Sequence, residues 1–140
     1  VFLLGYLGSA VKALACEAFE RVGANLHDLG VLALLEEGAR DTQAAIADAL
    51  ELDRGQLVRV LDDLEDQGLI ERHRDAKDRR RHMVSLTGPG RRRLQKLRSV
   101  LEQIENEVLE PLDATGRSTL RSLLLDVGQH EATEAATRAG

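Results

Sequence analysis

Apolar residues recur at three- and four-residue intervals along most of this chain, and only one short stretch alternates. Phe2, Leu3, Tyr6, Leu7, Ala10, Val11, Leu14 and Ala18 make one stripe, which predicts a helix of about five or six turns closed by Gly23. Leu26, Leu29, Val31, Leu32, Leu34 and Leu35 predict a second, shorter helix stopping at Gly38. A third runs over Thr42–Leu50, capped by Asp41 or Thr42, with Ile46, Ala49 and Leu50 inward. After Leu52–Asp53 comes a fourth over Arg54–Gln67. Its set Leu57, Val60, Leu61, Leu64 follows i, i+3, i+4, i+7, and Gly68 ends it. Asp53 and Gln56 have the spacing of a capping box at its start.

Two strands follow, Leu69–Arg74 and His82–Leu86, around the loop Asp75–Arg81, with Val84 and Leu86 on one face of the return. Thr87 can cap a long helix in which Leu94, Leu97, Leu101, Ile104 and Val108 step 3, 4, 3, 4 as a helix-pair seam. Pro111 breaks it. A last helix from about Ala114 carries Leu120, Leu123, Leu124 and Val127 on one face, and the tail from Glu131 has no apolar face and should fray. The pattern predicts a mainly α protein with a helix–turn–helix followed by a small β-hairpin.

Composition changes the picture little. The chain has 140 residues with 2% aromatics, so one domain with an aliphatic core is expected. Charge changes it more. The formal net charge of −5 argues against nucleic acid, but residues 71–98 hold eleven Lys/Arg and three acids, a local +8 that leaves −13 elsewhere. Local potential decides where a polyanion docks. A helix of this size fits the major groove, and an arginine-rich hairpin beside it can reach phosphates and the minor groove.

Cys16 is alone, which excludes an intramolecular disulfide and fits a reducing, cytoplasmic setting. No run reaches the roughly eighteen apolar residues of a bilayer span. Residues 1–16 lack a basic start and contain Lys12, so they read as helix and not as signal peptide; the start at Val1 without Met suits a trimmed product. His27, His73, His82 and His130 have no metal-ligand spacing, and no nucleophile–base or phosphate-loop motif occurs. Neither a metal, a cofactor nor an enzymatic activity is expected.

The run from Leu50 to Arg72, ending Gly68-Leu69-Ile70-Glu71-Arg72, resembles the recognition-helix region of the MarR family of winged-helix transcription regulators. Asp78-Arg79-Arg80 resembles that family's Asp–x–Arg wing signature, and Leu86-Thr87-Gly88-Pro89-Gly90 its closing Leu-Thr-x-x-Gly element. The resemblance covers nearly the whole chain and implies a winged helix-turn-helix lobe, with the β-hairpin as its wing, on a helical dimerisation body. It implies a homodimer on a palindromic operator in double-stranded DNA, with residues 1–25 and 90–130 as dimerisation helices, 26–88 as the DNA-binding lobe and 131–140 as a flexible tail. It also implies a repressor released by a small aromatic or anionic ligand in a crevice between body and lobe, whose lining the sequence leaves unknown.

On this reading Arg54, Gln56 and Arg59 face DNA from the recognition helix. Arg grips guanine bidentately and Gln pairs with adenine, although Gln56 also has the capping box open to it. Arg80 would enter the minor groove or meet phosphate, held by Asp78, with Arg79 and Arg81 as neighbouring phosphate contacts. Arg72 and Arg74 on the first strand are weaker candidates, and Arg91–Arg93 divide evenly between DNA contact and a solvated helix start. Thr42 and Gln43 can touch phosphate, or Thr42 can simply cap. Cys16 can serve a redox-responsive variant of the same fold or be a buried, inert thiol; Tyr6 lies about 15 Å away along the helix. A third alternative is a winged-helix module that binds protein instead of DNA and tolerates loss of the wing arginines.

Overall fold

The computed structural model describes residues 2–38, 42–74 and 82–138. The elements run α1 (Phe2–Arg21), α2 (Leu26–Glu36), α3 (Gln43–Leu50), α4 (Arg54–Asp66), β1 (Ile70–Arg74), β2 (His82–Leu86), α5 (Gly88–Val108) and α6 (Ala114–Arg138). The chain divides into two compact units, one ending at Ile104 and one beginning at Glu105.

The first unit holds the aliphatic core. Phe19 of α1, Val31, Leu32 and Leu35 of α2, Ile46 of α3, Leu57, Leu61 and Leu64 of α4, Ile70 and Val84 of the hairpin and Leu94 and Leu97 of α5 are buried together. The i, i+3, i+4, i+7 set of α4 is buried entire, as its spacing requires. Strands β1 and β2 pair antiparallel with Ile70 opposite Leu86 and Arg72 opposite Val84. The apolar ends of both strands therefore meet the core, and the far ends carry Arg74 and His82 outward.

Local signals set the boundaries. The Asp53–Gln56 capping box opens α4: Gln56 N–H donates to Asp53 Oδ1 at 2.8 Å and Asp53 N–H to Gln56 Oε1 at 3.2 Å. A second capping box, Asn25 with Asp28, opens α2. Gly68, at φ 69°, turns the chain out of α4 into β1. At the other end of the hairpin, Thr87 Oγ1 donates toward the Gly68 and Leu69 carbonyls (2.8 and 2.9 Å) and accepts from Gly90 N–H at 3.0 Å. Gly90 is buried so tightly that a Cβ there would lie 2.0 Å from the Leu69 oxygen. The Thr87–Gly90 spacing is thus a lock joining the return strand, the start of the hairpin and α5.

Two sequence expectations are corrected. In α3 the inward residues are Ile46 and Ala47, while Ala49 is exposed; the helix has eight residues, too few for periodicity to choose between alanines. Helix α1 exposes its stripe from Phe2 to Leu14, with Phe2 86% and Leu7 51% exposed, and buries Ala15 and Phe19. The same helix is long and apolar enough to cross a bilayer by length and composition, which a count of uninterrupted apolar residues did not register. The backbone of α6 is helical to Arg138.

In the second unit, Arg117 ties the turn to α6. Its guanidinium donates to Asn106 Oδ1 at 2.7 Å and to the Leu112 carbonyl at 3.1 Å. Leu123, Leu124, Leu125 and Val127 of α6 are exposed.

Candidate nucleic-acid interface

The face that presents cations is built from the N-termini of α3 and α4 and the outer end of the hairpin. Thr42 caps α3, its Oγ1 accepting from Ala45 N–H at 3.2 Å. Asp53 caps α4. Both helices begin beside one cleft of about 320 Å³ lined by Thr42, Gln43, Ala44, Arg54, Leu57, Val58 and His82. Each helix N-terminus carries a partial positive charge from its aligned peptide dipoles, so the cleft favours an anion before any side chain is counted.

Arg54 and Arg59 are exposed on α4, and neither is in an ion pair among the described residues. Arg59 Nε donates to the Gly55 carbonyl one turn back at 3.3 Å, which lays the guanidinium along the helix. Arg74 is exposed at the end of β1. Gln56 takes the capping-box alternative, its side-chain oxygen accepting from the Asp53 amide at 3.2 Å. Thr42 likewise acts as a cap. Asp78, Arg79, Arg80 and Arg81 lie outside the described residues.

Other arginines of the basic block have structural partners. Arg72 bonds Glu65 through Nε at 2.8 Å and again through its terminal nitrogen, and it reaches Asp62 at 2.6 Å. Its own N–H donates to Glu65 at 3.2 Å. Both guanidinium bonds fall on Glu65 Oε2 while the backbone N–H takes Oε1, and together they fasten β1 to α4. The hydrogen bond from Arg72 holds the Glu65 carboxyl below its ordinary range, and Glu65 and Asp62 raise Arg72 in turn. Arg93 donates to the carbonyls of Val22 and Gly23 at 2.5 and 2.8 Å, satisfying the open end of α1. Arg98 pairs with Glu36 at 2.7 Å.

A second cleft in the same unit has the opposite sign. Glu20, Asn25, Asp28, Asp63 and Asp66 line it. Asp28 is 7% exposed, and burial pushes its carboxyl upward despite the hydrogen bond from Asn25 and the attraction of Arg93. Phosphate would be repelled there, so the two clefts give the lobe a polarity. His27 is exposed in the first turn of α2. Cys16 is half-buried in α1, more open than an inert core thiol.

Neither the Asn25–Asp28 box nor the pairings of Arg72 and Arg93 was anticipated. The first had a sequence signal, the Asn–x–x–Asp spacing before an apolar run. The others join residues 7 and 71 positions apart and depend on the packing.

Comparison with known proteins agrees with this geometry. A profile of the MarR family matches residues 23–81. The chain is 32% identical over 95 residues to a protein of Thauera aromatica described as a transcriptional regulatory protein for the hcr operon, covering 68% of this chain and 57% of that protein. It therefore spans little more than half of that relative's length. The crystal structure of wild-type MarR from E. coli superposes with a TM-score of 0.80 at 26% identity, over 89% of this chain and 93% of that one. CouR from Rhodococcus jostii RHA1, bound to p-coumaroyl-CoA, superposes with a TM-score of 0.70 at 28% identity, over 90% and 89%. The chain has the fold of the winged-helix MarR structures, and its residues 23–81 match the MarR family.

Proposed function

We propose that this chain is a sequence-specific DNA-binding transcription regulator that works as a homodimer. The observation that carries the reading is the pair of cations Arg54 and Arg59 exposed on α4, with Arg54 lining the cleft beside two helix N-termini and the outward-facing end of a basic hairpin. Helix α4 enters the major groove, and the loop 75–81 reaches toward the adjacent minor groove with Arg80 leading, Asp78 holding it, and Arg79 and Arg81 on phosphate. Arg74 adds a phosphate contact from β1.

Dimerisation is supported by apolar surface that a lone chain leaves in water: Phe2, Leu3, Leu4 and Leu7 on α1, and Leu123, Leu124 and Leu125 on α6. A second copy covering these faces would present two lobes, and twofold symmetry calls for a palindrome with half-sites about one helical turn apart. Since CouR is bound to p-coumaroyl-CoA, a small aromatic or anionic ligand is the class of effector proposed here. It would act by preferring a lobe arrangement other than the DNA-bound one.

Selection from a random duplex library with the whole chain tests the reading. A palindromic sequence should be enriched, and Arg54→Ala and Arg59→Ala should each weaken its gel shift by about tenfold, the size of one lost base contact. Failure to enrich any sequence would refute it.

A further inference from the structure

The outer face of α4 is polar except at one position. Arg54, Gln56, Arg59, Asp62, Asp63 and Asp66 are exposed there, and Val58 stands among them 40% exposed. It contributes nothing to the buried set Leu57, Val60, Leu61 and Leu64. A single exposed valine needs no explanation on an ordinary surface. This one lies in a concavity. Val58 is one turn beyond Arg54, on the same side of the helix, and with Ala44 of α3 and Leu57 it supplies the apolar lining of the cleft of about 320 Å³. Gln43 and Arg54 line the same cleft, and the two helix N-termini give it positive potential.

An apolar lining beside Arg54 and two helix N-termini is complementary to one feature of duplex DNA. The thymine C5-methyl is the apolar group among the major-groove base edges, and it lies within a lattice of phosphates. A valine side chain has no hydrogen-bonding atom, so any discrimination it exerts must come through such a methyl contact. Its position in the second turn, after Arg54 in the first, suits a base edge next to the one Arg54 reads, because recognition helices address bases with their N-terminal residues.

We infer that Val58 is a specificity-determining residue that seats a thymine methyl in the major groove, with Ala44 closing the contact from α3. The assignment deepens the DNA-binding reading above and rests on it.

Deoxyuridine supplies the test, since it keeps every hydrogen-bonding edge of thymine and removes the methyl alone. Each thymine of the selected duplex is replaced in turn, and affinity is measured by fluorescence anisotropy for the wild-type chain and Val58→Ala. The wild type should lose about fourfold at one position per half-site, the size of one buried methyl. Val58→Ala should bind the thymine duplex more weakly by a similar factor and be indifferent to deoxyuridine there. Its affinity for a scrambled duplex should equal that of the wild type, which establishes that the variant is folded. Wild-type indifference to deoxyuridine at every position, or discrimination that persists in Val58→Ala, overturns the assignment while leaving DNA binding intact. If no duplex is enriched at all, the DNA-binding reading fails and the role of Val58 fails with it.

Discussion

Gly90→Ala should damage this protein far more than an alanine in a helix ordinarily does. The new Cβ would lie 2.0 Å from the Leu69 carbonyl oxygen and 2.7 Å from Leu86 Cδ1. The leucine methyl can rotate away, but the carbonyl cannot move freely, because it accepts from Thr87 N–H at 3.1 Å and from Thr87 Oγ1 at 2.9 Å. Overpacking of this kind costs about 1–3 kcal/mol. Breaking one of the Thr87 bonds adds about 1 kcal/mol, and the better helix propensity of alanine returns about 1 kcal/mol. With a backbone atom as the obstacle, the upper part of that range applies, a net loss of about 2–3 kcal/mol against a total of roughly 5–15 kcal/mol. Urea unfolding at one fixed protein concentration would read this as a midpoint lowered by about 1 M with unchanged slope. Gly8→Ala is the control: nothing lies within 4 Å of its Cβ position, so that helix should gain up to about 1 kcal/mol. Equal midpoints for Gly90→Ala and the wild type would refute the lock that joins hairpin and α5.

Three further outcomes are expected. Glu65 is held below the ordinary carboxyl range by Arg72, so its stabilisation is complete above the unfolded pKa and disappears as pH falls through the depressed folded value; Glu65→Gln should flatten the acid limb of urea midpoints between about pH 6 and pH 3, and an unchanged limb would count against the pair. Asp28 is shifted the other way by burial. Its protonated form suits the fold, so its stability is greatest below the unfolded pKa and declines as pH rises through the raised one. Asp28→Asn, which keeps an oxygen for the Asn25 amide, should remove that decline in the same titration, and a steeper decline would contradict the assignment. Leu3→Glu with Leu7→Glu should shift the chain from dimer to monomer in sedimentation velocity, and an intact dimer would exclude the exposed face of α1 from the subunit contact.

Much of the fold was legible because several local signals agreed. In α4 the capping pair Asp53–Gln56, the quartet Leu57, Val60, Leu61, Leu64 and the closing Gly68 all mark one helix. The outward stripe of α1 was legible as a pattern but not as a surface, since periodicity reports that a face is apolar and not what covers it. Short α3 gave too few turns to separate Ala47 from Ala49, and it ends at Glu51, a non-glycine residue at φ 53° with no compositional signal. At the interface, charge clustering found the basic block but could not apportion it. Arg72 and Arg93 proved to serve the fold because of a strand register and a helix end distant in sequence, whereas Arg54, Arg59 and Arg74 remained exposed. Reading the α4 face by charge alone also passed over Val58, which becomes distinctive only when Ala44 is placed beside it.

The central claim is that α4 and the basic hairpin together grip duplex DNA. Affinity for the selected duplex and for a scrambled one, measured across a range of salt for the wild type and for Arg54→Ala/Arg59→Ala, tests it most directly. The account predicts a steep linear fall of log affinity with log salt for both duplexes, a preference of about a thousandfold or more for the selected one, and loss of most of that preference in the double variant. Equal affinity for the two duplexes, or a preference that survives removal of both arginines, would contradict it.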